Sequence, residues 1–242
     1  MKKVCLFIGA GGTLGSVFCQ RHAGRYHLVG VARRHFPELP TQHQRFVDPL
    51  DAAATLQENE DAIFAIQADI SAPGQIERVV ELTLARYGRI DALVNSACHS
   101  LWAGMLDGDR LEASAERHFQ MNVIVPLRTA LAVARTFWHG REEENRAQNR
   151  CVVNVSSTAG VNIYRDCGQS LYSASKAALN YLTCHMAAEF QELGVRVCAT
   201  APNTFPTIVP TEAAADTITR LIESDMNGRV LVLDRDREYF SP

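Results

Sequence analysis

The chain has 242 residues, 47% of them hydrophobic and 21% charged, with a formal net charge of −3. That length can bury one large α/β core, and the nearly balanced charge gives no electrostatic footing for nucleic acid or an anionic membrane surface. The seven cysteines form no C-x-x-C pair and mostly sit in apolar runs, and the eight histidines form no H-x-x-x-H cluster. This pattern fits reduced, structural thiols in a cytoplasmic protein and argues against a metal site. No apolar run reaches the length of a membrane span, and the stretch Val4–Ile8 after Lys2-Lys3 runs straight into glycines rather than a signal-peptide core.

Val4 to Ile8 has the continuous apolar character of a buried parallel strand, and it meets Gly9-Ala10-Gly11-Gly12-Thr13-Leu14-Gly15 before a helical stretch to about His22. Strand, glycine turn and helix together predict a pyrophosphate cradle: the helix N-terminus offers N–H groups and a positive dipole end, and glycine lets the backbone come close. The plain alternative is a tight turn. His27 to Ala32 reads as the second strand, with Arg33-Arg34 at its C-terminal end where an acid would serve NAD. Basic residues there suit the 2′-phosphate of NADP, so NADP(H) is favoured over NAD(H), against the simpler reading of two solvated arginines.

Phe36 to Thr41 reads as a loop, Pro49 to Asn59 as a short helix, and Ala62 to Ala68 as a strand ending in Asp69-Ile70-Ser71. A helix then runs from about Ser71, with Pro73 in its first turn, to Tyr87-Gly88. Ile90 to Asn95 is the fourth strand, and Asn95-Ser96-Ala97-Cys98 leaves it at the edge of the glycine turn. A long helical pattern from about Arg110 to Trp138 contains Asn122 and Pro126. Proline lacks the N–H that would pair with the carbonyl of residue 122, so the helix should bend there. Arg141 to Arg150 reads as a polar loop without function. Cys151 to Val155 is the fifth strand and delivers Ser156-Ser157 to the ligand-binding edge of the sheet.

Leu171-Tyr172-Ser173-Ala174-Ser175-Lys176 opens a long helix, reaching about Leu193, on which Tyr172 and Lys176 share a face. An ammonium beside a phenol favours the phenolate and should lower the tyrosine pKa toward the range of proton transfer. The chain has only three lysines among its 24 Lys and Arg residues, and the other two are Lys2 and Lys3. A compact, tunable ammonium has been kept here where a guanidinium would not serve. Val195 to Thr200 is the sixth strand, Pro202 to Thr207 an irregular loop, Glu212 to Glu223 a helix and Arg229 to Leu233 a last strand.

Taken in order, the glycine turn, Asp69, Asn95-Ser96-Ala97-Cys98, Asn122, Ser157, Tyr172-x-x-x-Lys176, Pro202 and Thr207 resemble the short-chain dehydrogenase/reductase family over nearly the whole chain. The resemblance implies a single α/β domain, a Rossmann-type doubly wound parallel sheet of about seven strands with helices on both faces. It also implies hydride transfer between NADP(H) and a carbonyl or alcohol substrate, in a homodimer or homotetramer. By the same resemblance Tyr172 is the general acid/base, and Lys176 lowers its pKa and holds the nicotinamide ribose. Ser157 binds the substrate oxygen, with Ser156 a rival, and Asn122 holds a water leading to Lys176. The cofactor would be held by Gly9, Gly12, Thr13, Leu14, Gly15, Arg33, Arg34, Asp69, Ile70, Asn95, Ala97, Tyr172, Lys176, Pro202, Phe205 and Thr207. The substrate would meet Trp102, Met105, Ile163 and Tyr164.

Departures from the family pattern accompany these matches. Thr13 stands where the short-form glycine pattern has Gly, while residues 9, 12 and 15 fit the spacing of the extended branch. Cys98 and Asn203 replace usual glycines, and only four residues separate Thr207 from Glu212, where the family places a substrate lid. Two other functions follow from such departures: a non-catalytic NADP(H)-binding sensor, and an epimerase or lyase that retains its cofactor.

Overall fold

The structure is a computed structural model that describes residues 2–37, 63–165 and 167–241. The helix expected between Pro49 and Asn59, and most of the loop from Phe36 to Thr41, lie outside the described residues. Eight strands form one sheet in the order β3-β2-β1-β4-β5-β6-β7-β8. They are β1 (Lys3–Ile8), β2 (Tyr26–Ala32), β3 (Phe64–Gln67), β4 (Ala92–Asn95), β5 (Cys151–Val155), β6 (Arg196–Pro202), β7 (Val230–Asp234) and β8 (Arg237–Ser241). Seven are parallel, as the continuous apolar runs imply. The eighth, β8, turns back antiparallel on β7 through Asp234↔Arg237, and its Arg-Glu-Tyr-Phe-Ser composition and exposure gave no buried-strand signal.

Helices cover both faces. Alternation along β1 sends Val4, Leu6 and Ile8 to one face, where they pack with α2 (Gln75–Tyr87), α4 (Val125–Val133) and α6 (Ser170–Phe190). Cys5 and Phe7 point the other way, into a core with α1 (Thr13–His22) and α7 (Thr211–Glu223). This double winding puts every parallel strand's C-terminal end on one edge. Among the described residues no helix is long and apolar enough to cross a membrane.

The long helical pattern breaks into α3 (Gly108–Phe119), a π turn at Gln120–Ile124, α4, and a second π turn at Ala134–Trp138. The expected bend takes that form: the Val125 N–H reaches back to the Gln120 carbonyl, and Pro126 then falls in the first turn of α4, where its missing N–H costs nothing. Buried Cys5, Cys19, Cys151 and Cys198 fit the structural reading, whereas Cys98, Cys167 and Cys184 are exposed.

The segment Arg141 to Arg150 is a correction. It holds a short helix, α5 (Glu142–Ala147), and ends in a fully buried arginine. The Arg150 guanidinium donates to Asn145 Oδ1 at 2.7 Å, pairs with buried Asp91 at 3.3 Å and with Glu144, and stacks 4.6 Å over Phe137. Asp91 is completed by Arg89 at 2.7 Å and by the Val4 N–H at 2.9 Å. A charge-rich stretch looked solvated because its acidic partner lies 59 residues away. Replacing Arg150 by Met takes one guanidinium from the buried Asp91 carboxylate and leaves it Arg89 and the Val4 N–H, so unfolding free energy in urea should fall by about 1–3 kcal/mol. An unchanged denaturation curve would show that the pair carries no stability.

Candidate active site

The C-terminal ends of β1, β2 and β3 open into a cavity of about 440 Å³ lined by Gly9, Gly11, Gly12, Arg33, Arg34, Asp69, Ile70 and Ala97. Its shape depends on glycines, and not only on those that the sequence spacing singles out. Gly9 has φ +98°, and a Cβ there would lie 2.6 Å from the Ala97 nitrogen. A Cβ on Gly15 would lie 2.4 Å from the Gly9 carbonyl oxygen, and one on Gly11 would fall on the His35 carbonyl at 1.7 Å. Gly12 meets only the Gly9 carbonyl at 3.5 Å. Positions 9, 11 and 15 are the sterically constrained set, which adds Gly11 to the glycines that the sequence spacing singles out, while Gly12 lines both cavities. Gly12 instead precedes α1, whose N-terminus has no side-chain cap, leaving its first N–H groups facing the cavity.

Charge in this cavity is mostly positive. Arg33, Arg34, His35 and Arg117 line it with Asp69 as the acid. Arg33 leans toward Asp69 at 3.8 Å. A hydrogen bond from Ser71 above all, with help from Arg33, holds the Asp69 carboxyl below the usual carboxylate range. A close glycine turn with open N–H groups beside a cationic rim fits a phosphorylated dinucleotide. The sequence reading missed Arg117 because nothing in a helical repeat says which arginine reaches the cavity at the strand ends.

A second cavity, of about 560 Å³, adjoins the glycine turn and holds Thr13, Leu14, Gly15, Ser157, Tyr172, Lys176, Pro202 and Phe205. Asn203 and Thr204 line it as well, whereas Thr207 is exposed and outside it. The two serines separate cleanly. Ser156 is buried and donates to the Lys176 carbonyl at 3.3 Å. Ser157 lines the cavity with Tyr172 and accepts the Ala159 N–H at 3.2 Å, and its hydroxyl acts to lower the pKa of the Tyr172 phenol. The geometry therefore puts Ser157 beside Tyr172.

Lys176 and Tyr172 share a helix face, with the ammonium 5.8 Å from the ring centroid. The lysine is 3% exposed and donates to the Val155 carbonyl at 2.8 Å. Burial lowers its pKa. The expected depression of the tyrosine pKa is not what these positions give. Burial pushes Tyr172 up to about 12, the nearby Cys98 adds to that, and the Ser157 hydroxyl works against it. Tyr172 is therefore a protonated donor throughout the neutral range.

Asn122 is 1% exposed and lines neither cavity. Its Oδ1 accepts the His99 N–H at 2.8 Å, and its Nδ2 donates to the His99 carbonyl and to Ser175 Oγ, both at 2.9 Å. With its side-chain donors and acceptor engaged, it pins the loop after β4 to α6. His118, one turn earlier, accepts the Leu101 N–H at 3.2 Å and meets the His99 ring edge-to-face at 4.6 Å. The i, i+4 spacing of His118 and Asn122 was the available signal for that helper. Asn95 also faces inward, donating to Asn154 at 2.9 Å and accepting from Thr129 at 2.8 Å. No group of three or more His, Cys, Asp or Glu among the described residues could hold a metal ion.

A folded-state phenol pKa above the ordinary value of about 10 means that the protonated tyrosine contributes stability below that pH. The contribution is lost as pH rises through about 12. Ultraviolet difference titration against Tyr172→Phe should place this phenol near 12 in the protein without ligand. Ser157→Ala should move it higher, since the hydroxyl it removes is the lowering influence. An ordinary midpoint would refute the burial argument.

Residues 3–217 match the family described as short chain dehydrogenase. An uncharacterised oxidoreductase of Schizosaccharomyces pombe is 30% identical over 202 residues, covering 84% of this chain and 67% of that protein. Among solved structures, ElxO with NADP bound superposes with a TM-score of 0.75 at 21% identity, over 97% of this chain and 98% of its own. An oxidoreductase of the short chain dehydrogenase/reductase family from Brucella ovis, in complex with a partially ordered NAD, gives a TM-score of 0.71 at 25% identity, over 97% and 100% of the two chains.

Proposed function

The chain belongs to the short-chain dehydrogenase/reductase family and is an oxidoreductase of it; from that premise we propose that it reduces a small carbonyl substrate with NADP(H). The observation that carries this reading is that Tyr172, Ser157 and buried Lys176 line one cavity beside the glycine turn, with the lysine ammonium 5.8 Å from the tyrosine ring centroid. NADP(H), when bound, supplies the hydride. Tyr172 gives its phenolic proton to the substrate oxygen as negative charge develops there. Ser157 donates a second hydrogen bond to that oxygen, where a fixed dipole is worth most. Lys176, held against the Val155 carbonyl, places positive charge behind the phenolate that forms.

A phenol protonated up to about pH 12 supports the reductive direction. Reduction should therefore be flat with pH across the neutral range, whereas oxidation of the alcohol should accelerate as pH rises toward the tyrosine pKa. The preference for NADP(H) rests on the arginines: Arg33, Arg34 and Arg117 converge on the cavity at the β2 end. A homodimer or homotetramer belongs to the same reading, since Tyr181, Cys184 and Ala188 leave the later turns of α6 exposed.

Tyr172→Phe should lower NADPH-dependent turnover of a ketone or aldehyde by about 10²–10³-fold while leaving NADPH affinity in place. Retained turnover in that variant would remove the assignment. Arg34→Glu should weaken NADPH binding by about tenfold or more with little effect on NADH. Equal losses for the two nucleotides would mean that the arginine does not read the 2′-phosphate.

A further inference from the structure

The cavity that holds Tyr172 does not end at the tyrosine. It shares the wall formed by Ala159, Tyr164, Cys167 and Gln169 with a further cavity of about 780 Å³. That cavity runs between the loop at Ala103 and Met105 and the first turns of α6, where Ser173 and Ala174 line it. We infer, building on the reductase reading above, that this cavity extends the substrate site and receives the apolar chain of a long, uncharged carbonyl compound whose reacting end lies at Tyr172.

The lining chemistry selects the class of ligand. Among the described residues no Asp, Glu, Lys, Arg or His lines the outer cavity; their wall is hydrocarbon, such as Val161 and Ile163, with neutral groups such as Asn162 and Ser173. In the inner cavity the charged group is Lys176, already bound to a carbonyl. An ionised tail would shed hydration here without a partner, whereas an alkyl chain loses nothing. Met105 and Ile163 are 74% and 95% exposed on this route, so a chain laid over them removes water from both surfaces.

The walls are fixed by the backbone. The Ala103 N–H donates to the Gly168 carbonyl at 2.7 Å, and Gly168 has φ +60° with Ala103 where a Cβ would need room. The Asn162 N–H donates to the Thr158 carbonyl at 2.7 Å, and the Tyr164 hydroxyl donates to Thr158 Oγ1 at 3.0 Å. A groove held this way takes up a chain at a small ordering cost. The other side of the site lacks a long cover, because the connection from β6 to α7 spans only residues 203–210. A long substrate is gripped from the α6 side instead.

The test is a series of unbranched methyl ketones from butanone to dodecanone, each assayed with NADPH and compared with the ketone bearing a terminal carboxylate. kcat/KM should climb by up to about fourfold per methylene that becomes buried, and the carboxylates should lose the gain. Gly104→Phe and Asn162→Phe fill the outer cavity from two loops; at Gly104 an added Cβ meets nothing within 4 Å. Both should erase the length dependence, about tenfold or more for the longest ketone, with butanone turned over as before. A flat series, or a slope that survives both substitutions, overturns the extension. So does a change in oligomeric state by light scattering with the slope intact, which assigns the cavity to contact between copies. If no ketone is turned over, the reductase reading fails separately, and Trp102 fluorescence decides the cavity: quenching by dodecanone that both substitutions abolish upholds the extension, and no quenching overturns it.

Discussion

Three hydrogen bonds from one buried amide hold the site together. Asn122 takes the N–H of His99, gives a proton back to the same residue's carbonyl and gives the other to Ser175. Ser175 in turn donates to the Tyr172 carbonyl at 2.7 Å. The loop after β4, the π turn on the α3–α4 helix and the first turn of α6 thus share one fixed point. Because Asn122 and Ser175 are buried, leaving either unpaired would cost about 1–3 kcal/mol, so the arrangement is strongly specified. The loop is also tied at Ser96 and Ala97, whose N–H groups both reach the Ile8 carbonyl at 2.9 Å, and at Leu101 by His118. Asn122 therefore acts by placing Tyr172 and the loop that faces it.

The architecture was legible in the sequence wherever a segment buries itself in a regular way. Val4–Ile8, Cys151–Val155 and Val195–Thr200 are runs that only a sheet covered on both faces would need, and all are central strands. The Tyr172–Lys176 pair was legible because helical spacing alone puts the two on one face. Its electrostatics were not. Spacing says that an ammonium is near a phenol, but the Val155 carbonyl and the surrounding burial decide where that charge goes. Which glycines in the turn are sterically required was hidden for a related reason. Four glycines within seven residues look equivalent as letters, and only the approach of Ala97, His35 and Ala10 shows which three cannot carry a side chain.

β4 shows how stability and chemistry are kept apart along the sheet. Just before its first residue, Asp91 sits in the buried ion cluster with Arg150 and Arg89. At its last, Asn95 joins a buried amide line through Asn154 to Thr183, bonded at 2.9 Å in each step, that ties β4 and β5 to α6. Desolvation makes an incomplete network costly at either end. The strand therefore enters the site edge at a fixed height and angle, and the loop carrying Ala97, Cys98 and His99 starts from a rigid base. Exposed Cys98 could vary without disturbing that base, since its neighbours Ala97 and His99 hold the backbone from either side. A short-chain dehydrogenase can in this way depart from the usual glycine next to its cofactor cleft and still keep the Ser157–Tyr172 geometry, because the backbone bonds that set it do not pass through that side chain.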